Sequence, residues 1–195
     1  MTELLIPKNK LHLETPSIIT FVAFDIASFS AFFVAFMIDR NKQQAIFNQS
    51  SQLLDIKIGL INTLILITSG WLVALAVKNA NYGYLTKTYR QLLMASLIGS
   101  MFSVFKIIEY WTKLSDGITP YSNDFFGYYF ILTGIHFFHY IIGIFLLSIA
   151  AIKTARRTKP DFAYINWLKS VALYWHMVDV IWVFMFPILY LQGAK

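Results

Sequence analysis

Five stretches of the chain are almost continuously apolar: Ser17 to Ile38, Ile58 to Val77, Leu92 to Trp111, Phe125 to Ile152 and Ser170 to Leu191. Each holds the roughly 20 residues that, at about 1.5 Å apiece, cross about 30 Å of hydrocarbon. The runs are too long for strands and lack the alternation of a barrel wall, so each predicts a transmembrane helix. Short polar links separate them, carrying Asn48-Gln49-Ser50-Ser51, Asn81-Tyr82-Gly83 and Asp116-Gly117. No segment remains for a soluble domain. Residues 1–195 therefore read as one all-α membrane domain, a bundle of five transmembrane helices. The first fourteen residues carry Glu3, Lys8, Lys10 and Glu14 but no cleavable apolar core, which argues against a signal peptide or an organelle presequence.

Composition agrees. The chain is 57% hydrophobic and 13% charged, with a mean hydropathy of +0.59, whereas soluble domains carry about 45–50% apolar and about 25% charged residues. The absence of cysteine excludes a disulfide scaffold, thiolate zinc, iron–sulfur clusters and a cysteine nucleophile. A net charge of +6 suggests nucleic acid until the basic residues are located. They lie between apolar runs and form no patch, so no nucleic-acid partner is expected. Lys8, Lys10, Lys78, Lys87, Arg90, Lys153, Arg156, Arg157, Lys159 and Lys169 fall on one side of the predicted bundle. Arg40, Lys42, Lys57, Lys113 and Lys195 fall on the other. The richer side is cytoplasmic by the positive-inside rule, which places the N-terminus in the cytoplasm and the C-terminus in the periplasm. Trp111, Trp167, Tyr84 and Tyr190 lie near predicted span ends, where amphipathic rings favour the interface.

Seven ionisable residues fall inside spans: Asp25, Lys106, Glu109, His136, His139, His176 and Asp179. Each costs about 2.5 kcal/mol or more in hydrocarbon and so needs a partner or a purpose. Depth along the spans sorts them into two layers. Asp25, His136, His139, His176 and Asp179 form a middle layer, expected to be a buried hydrogen-bond network that locks helices together. Imidazole and carboxylate at three-residue spacing also suit a metal or a bis-histidine haem, or a proton relay. In the outer layer, Lys106 and Glu109 share a helix face and should pair, with Asn62 and Thr63 reaching the same depth from the neighbouring span. A static clamp is expected there. Ala95-xxx-Gly99, Ser96-xxx-Ser100 and Thr68-Ser69-Gly70 should let backbones approach closely. The Phe32-Phe33 and Phe137-Phe138 pairs read as lipid-facing or packing surface. There is no phosphate-binding glycine loop, no nucleophile–base set outside the buried His and Asp, and no broken-helix repeat. No catalytic, cofactor-binding or metal-ligating residue is therefore assigned.

Several motifs, in this order on these spans, resemble subunit III of the haem–copper respiratory oxidases. They are Asn62-Thr63 with Ser69-Gly70, Glu109-Tyr110, Thr133-Gly134-Ile135-His136-Phe137-Phe138-His139 followed by Gly143, and Tyr174-Trp175-His176-Met177-Val178-Asp179-Val180-Ile181-Trp182. Within that family the chain is most similar to the NorE-like branch found alongside bacterial nitric oxide reductases. The stretches Gly117-Ile118-Thr119-Pro120, Asn123-Asp124-Phe125-Phe126, Tyr128-Tyr129-Phe130, Leu72 to Val77 and Phe186-Pro187 carry that likeness. The resemblance implies a non-catalytic subunit of a bacterial inner-membrane complex, a terminal oxidase or a nitric oxide reductase. It implies no redox cofactor in this chain, with haem, and in an oxidase copper, housed in partner subunits. Phospholipid would lie in a cleft between helix groups, and the subunit would support proton uptake by its catalytic partner. Asp25 takes the place of a buried carboxylate, often Glu in relatives and Asp in quinol-oxidase relatives. The mitochondrial form has two further N-terminal spans. The rival reading is an autonomous proton or ion conductor built on the same buried groups. On the network reading, His176→Ala and Asp179→Ala should each loosen the bundle by roughly 1–3 kcal/mol.

Overall fold

The computed structural model describes residues 16–193 and contains six α-helices. They are α1 (Pro16–Lys42), α2 (Gln44–Ser51), α3 (Ile56–Asn81), α4 (Leu85–Ser115), α5 (Asp124–Ala155) and α6 (Phe162–Tyr190). All but α2 are long and apolar enough to cross a bilayer. The N-terminal residues Glu3, Lys8, Lys10 and Glu14, and Lys195 at the other end, lie outside the described residues.

Helices α3, α4, α5 and α6 close into a ring, each packing on its chain neighbour and α6 returning to α3. Short links make neighbours antiparallel, and Gly83 (φ 80°) and Gly117 (φ 76°) supply the left-handed turns after α3 and α4. Helix α1 lies outside the ring against α5 and α6. Only 22% of its apolar window is buried, against 61% for α6, so α6 is the central helix and α1 the peripheral one.

Capping side chains, not hydropathy, set the starts of α3, α5 and α6. Asp55 accepts from Lys57 N and Ile58 N at 2.8 and 3.3 Å, Asn123 from Phe126 N at 3.0 Å, and Asp161 from Tyr164 N at 2.7 Å. Asp161 also takes Arg157 Nη1 at 2.8 Å; the Tyr164 amide and then this guanidinium hold its carboxyl below the usual range. Helix α6 thus begins at Phe162, ahead of the Ser170 expected from hydropathy, and its first turns bury Tyr164, Ile165 and Leu168.

Helix α2 is a sixth element where the sequence suggested only a polar link. Its polar residues are placed helically, with Phe47, Ser50 and Ser51 at i, i+3 and i+4 all buried. Phe47 meets the rings of Phe36 at 5.1 Å and Phe125 at 5.7 Å. Asn123 Nδ2 donates to Ser50 Oγ (2.9 Å), Gln43 Nε2 to Asp124 Oδ2 (2.6 Å) and Tyr128 OH to Asp39 Oδ2 (2.8 Å), tying this end of α1 and α2 to α5. Lys113 Nζ donates to the Leu53 carbonyl and fastens the same end to α4.

Close helix contacts run over small residues. Ser69 Oγ donates to Ala95 O at 2.9 Å, and a Cβ on Gly99 would sit 3.1 Å from Ser69 Oγ, Ile144 and Trp175. Ser100 instead faces outward and donates to Leu97 O within its own helix. At Gly143 a Cβ would meet the Trp175 ring at 2.7 and 2.9 Å. Trp175 is fully buried and cannot swing aside. Gly143→Ala is therefore expected to cost about 1–3 kcal/mol by overpacking. Gly134→Ala, with nothing within 4 Å, should instead gain up to about 1 kcal/mol of helix propensity. Thermal unfolding of both variants in detergent should move the midpoint in opposite directions.

Candidate functional site: a caged ammonium and two histidine–carboxylate pairs

The outer group of polar residues is built around Lys106, which is fully buried on α4. An ammonium has three hydrogens to give. Lys106 Nζ gives them to Glu109 Oε2 at 3.0 Å, Tyr129 OH at 3.1 Å and Tyr190 OH at 3.0 Å. Tyr190 OH in turn donates to Glu109 at 2.8 and 2.9 Å. Aromatic faces enclose the charge, with Nζ 4.6 Å from the ring centre of Tyr129, 5.0 Å from Tyr110, 5.3 Å from Trp182 and 5.7 Å from Tyr190. Ring quadrupoles favour a desolvated cation held at such distances. The fourth ring helix joins through Trp182 Nε1, which donates to Thr63 Oγ1 at 3.0 Å. Thr63 passes its own hydrogen to Gly59 O at 2.9 Å. Charge, hydrogens and lone pairs are satisfied by one another, as a static clamp requires. Asn62 is buried close by, but neither atom of its amide meets a hydrogen-bond partner in the protein.

The four aromatic members of the cage, Tyr110, Tyr129, Trp182 and Tyr190, were not assigned to the clamp from the sequence. Tyr190 reads as an interfacial anchor at a span end, yet it is fully buried and closes the cage; Trp111, 75% exposed, fits the anchor description. The missed signal was spacing. Trp182, Phe186 and Tyr190 recur every four residues on α6, and Tyr129, Thr133, His136 and Tyr140 alternate by four and three on α5.

The five residues of the middle layer do not meet as one group. His136 points into the ring between Phe102 (5.7 Å, edge-on) and Trp182 (5.3 Å), and neither ring nitrogen has a hydrogen-bond partner in the protein. Asp25 and His139 pair across α1 and α5, with Nε2 3.1 Å from Oδ2. His139 Nδ1 lies 2.9 Å from Ile135 O, and a carbonyl only accepts, so Nδ1 carries a hydrogen. Phe29 meets the imidazole edge-on, and Tyr174 OH donates to the His139 carbonyl at 3.2 Å, so the pair is anchored on α6 as well.

His176 and Asp179 face each other along α6, Nδ1 to Oδ2 at 3.6 Å. Opposite them is Gly70 of α3, where any Cβ would overlap the Asp179 carboxylate. The two partners differ in burial. Asp179 is inside the bundle, whereas the His176 side chain is 40% exposed. Asp179→Ala is therefore expected to lose about 1–3 kcal/mol through the void against Gly70, while His176→Ala in the isolated chain should change stability far less; denaturant titration in detergent separates the two. Among the described residues, no three His, Asp or Glu side chains gather as a metal site would require.

Comparison with known proteins bears on the whole of this architecture. Residues 15–194 match the family described as Cytochrome c oxidase subunit III. The chain is 30% identical to the probable quinol oxidase subunit 3 of Staphylococcus haemolyticus, covering 74% of this chain and 71% of that protein. It is 28% identical to the quinol oxidase subunit 3 of Bacillus subtilis, over 89% of this chain and 84% of the relative. Against the cytochrome c oxidase subunit 3 of Papio hamadryas it is 32% identical, spanning 71% of this chain but 52% of that longer protein. A match over nearly every residue, five membrane-crossing helices, and the Glu109, His136–His139 and His176–Asp179 motifs at helix contacts lead to one conclusion: the chain belongs to the cytochrome c oxidase subunit III family.

Proposed function

We propose that this chain is a non-catalytic accessory subunit of a haem–copper-type respiratory complex in a bacterial inner membrane. Its partner is the catalytic large subunit, which carries the haem and, in an oxidase, copper; this chain braces that subunit, holds phospholipid and sustains proton uptake during turnover. The observation that carries the reading is the whole-length family match, on a bundle in which the buried Lys106 and Glu109 are closed on one another. The relatives named above are subunits 3 of quinol and cytochrome c oxidases. The NorE-like stretches, Gly117 to Phe130 among them, support service to a nitric oxide reductase as the branch-level reading. The count of basic residues supports a cytoplasmic N-terminus and a periplasmic C-terminus. A mostly apolar cavity of about 560 Å³ between the starts of α1 and α6, lined by Ile18, Phe21, Trp167 and Ser170, supports the lipid role.

The placement of the histidines weighs against the rival readings. His136 is wedged between aromatic rings, and His139 and His176 each face a carboxylate, so no two converge as axial ligands of one haem would. The caged Lys106 has no hydrogen left to relay. The test is purification of the tagged chain from its native membrane in mild detergent, with mass spectrometry of what accompanies it. A haem-bearing large subunit is expected, and its sequence class identifies oxygen or nitric oxide as the acceptor. Recovery of the chain alone, together with acid-sensitive proton flux in liposomes, would overturn the accessory reading in favour of the conductor.

A further inference from the structure

Two buried polar side chains reach one level of the ring from helices that lie diagonally across it. Asn62 of α3 is 0% exposed and His136 of α5 is 1% exposed. Neither atom of the amide and neither ring nitrogen has a hydrogen-bond partner in the protein. Their common level follows from register. Ser69 of α3 donates to Ala95 O of the antiparallel α4. Asn62 stands seven residues before Ser69, and Phe102 seven residues after Ala95, so both are two turns removed in the same direction. Asn62 therefore stands level with Phe102, whose ring meets His136 at 5.7 Å. Trp182 closes the layer from α6, bonded to Thr63 beside Asn62 and 5.3 Å from His136.

Native interiors rarely leave buried polar atoms unmet, because each has given up its hydration for nothing. Here four such atoms share one otherwise aromatic layer. Whatever answers them must both give and accept hydrogen. The amide offers two hydrogens and an acceptor oxygen, and an imidazole always bears at least one hydrogen. A direct bond between the two side chains would use one atom of each and leave the other two unmet. A metal ion would need further ligands, and among the described residues no three His, Asp or Glu side chains gather. An anion or cation would need a counter-charge, and the nearby Lys106 and Glu109 are spent on one another. Water is small and does both jobs; a buried water typically holds about three bonds to polar groups that would otherwise lack them. We propose that the ring binds a structural water between Asn62 and His136, bridging α3 to α5. The site adjoins the Lys106 cage, since Trp182 lies 5.3 Å from both Lys106 Nζ and the His136 ring.

The test is solid-state NMR of the full-length, nitrogen-labelled chain in phospholipid vesicles, with each resonance assigned to its residue. Magnetisation from water protons is expected to reach the Asn62 amide nitrogen and the His136 ring nitrogens. It should arrive several-fold faster than at the backbone amide of Leu147, which is fully buried elsewhere on α5. Transfer no faster than at Leu147 would overturn the proposal. So would a coupling carried directly between an Asn62 and a His136 nitrogen, because the two side chains would then pair without an intermediary. A second measurement uses His136→Phe, which keeps a ring between Phe102 and Trp182 but removes both nitrogens. Transfer to Asn62 should fall several-fold in that variant, because the water loses the partner that holds it on the α5 side. Undiminished transfer would show that His136 takes no part in the site and would overturn the bridge. The first measurement needs no substitution, so the proposal stays open to refutation even where His136→Phe does not fold.

Discussion

Lys106→Met is expected to destabilise the bundle by about 3–5 kcal/mol, the usual result of removing one partner from a buried ion pair. The loss comes less from the missing attraction than from what remains. Glu109 keeps the one hydrogen of Tyr190, shared between its two oxygens, but loses the charge that balances it, inside a shell of four aromatic rings. Tyr129 OH also loses its donor. The double substitution Lys106→Met with Glu109→Gln removes both charges together and preserves an acceptor for Tyr190. It should recover most of the loss, since a buried pair exchanged as a unit for neutral side chains is often close to neutral. Equilibrium unfolding in detergent of the single and double variants measures this directly. If Lys106→Met unfolds at the wild-type denaturant concentration, the cage is not closed in the membrane-extracted protein and Lys106 has another counter-charge.

Trp182→Ala is expected to cost a similar amount, about 3–5 kcal/mol, for a different physical reason. The indole is fully buried where all four ring helices converge: Thr63 of α3 through its Nε1–H, Phe102 of α4 at 4.8 Å and 87°, and His136 of α5 at 5.3 Å. Truncation opens a void that Phe102 and His136 cannot both fill, and it strips one face from the Lys106 cage. Trp182→Phe should lose less, because it keeps most of the volume and gives up chiefly the bond to Thr63. Comparing the two by thermal unfolding separates packing from hydrogen bonding. Equal losses would place the effect in the Thr63 bond rather than the cavity.

The five spans were legible because hydropathy over about 20 residues is a property of sequence alone. Where each helix begins was less legible. Asp161 starts α6 well before its apolar run, and Phe47 turns a polar link into α2, because one cap or one buried ring outweighs a locally hydrophilic composition. The outer clamp was half legible. Lys106 and Glu109 stand three apart on one helix, so their meeting follows from helix geometry. Tyr129 and Tyr190 come from α5 and α6, and nothing local to either position announces the lysine.

The middle layer shows the same division more sharply. Sequence spacing put Asp25, His136, His139, His176 and Asp179 at comparable depth and on the right helices, and by itself it determined the membrane class, the count of spans and the residues needing partners. Only tertiary structure decided who those partners are. Neighbours three apart on α5 face different ways: His136 turns into the ring, while His139 turns out to Asp25 of the peripheral helix. On α6, Asp179 is buried against Gly70 while His176 looks outward. The reason is rotational. A helix advances about 100° per residue, so residues three apart differ by about 60°, and helix packing decides whether that angle falls inside a closed ring or across its boundary.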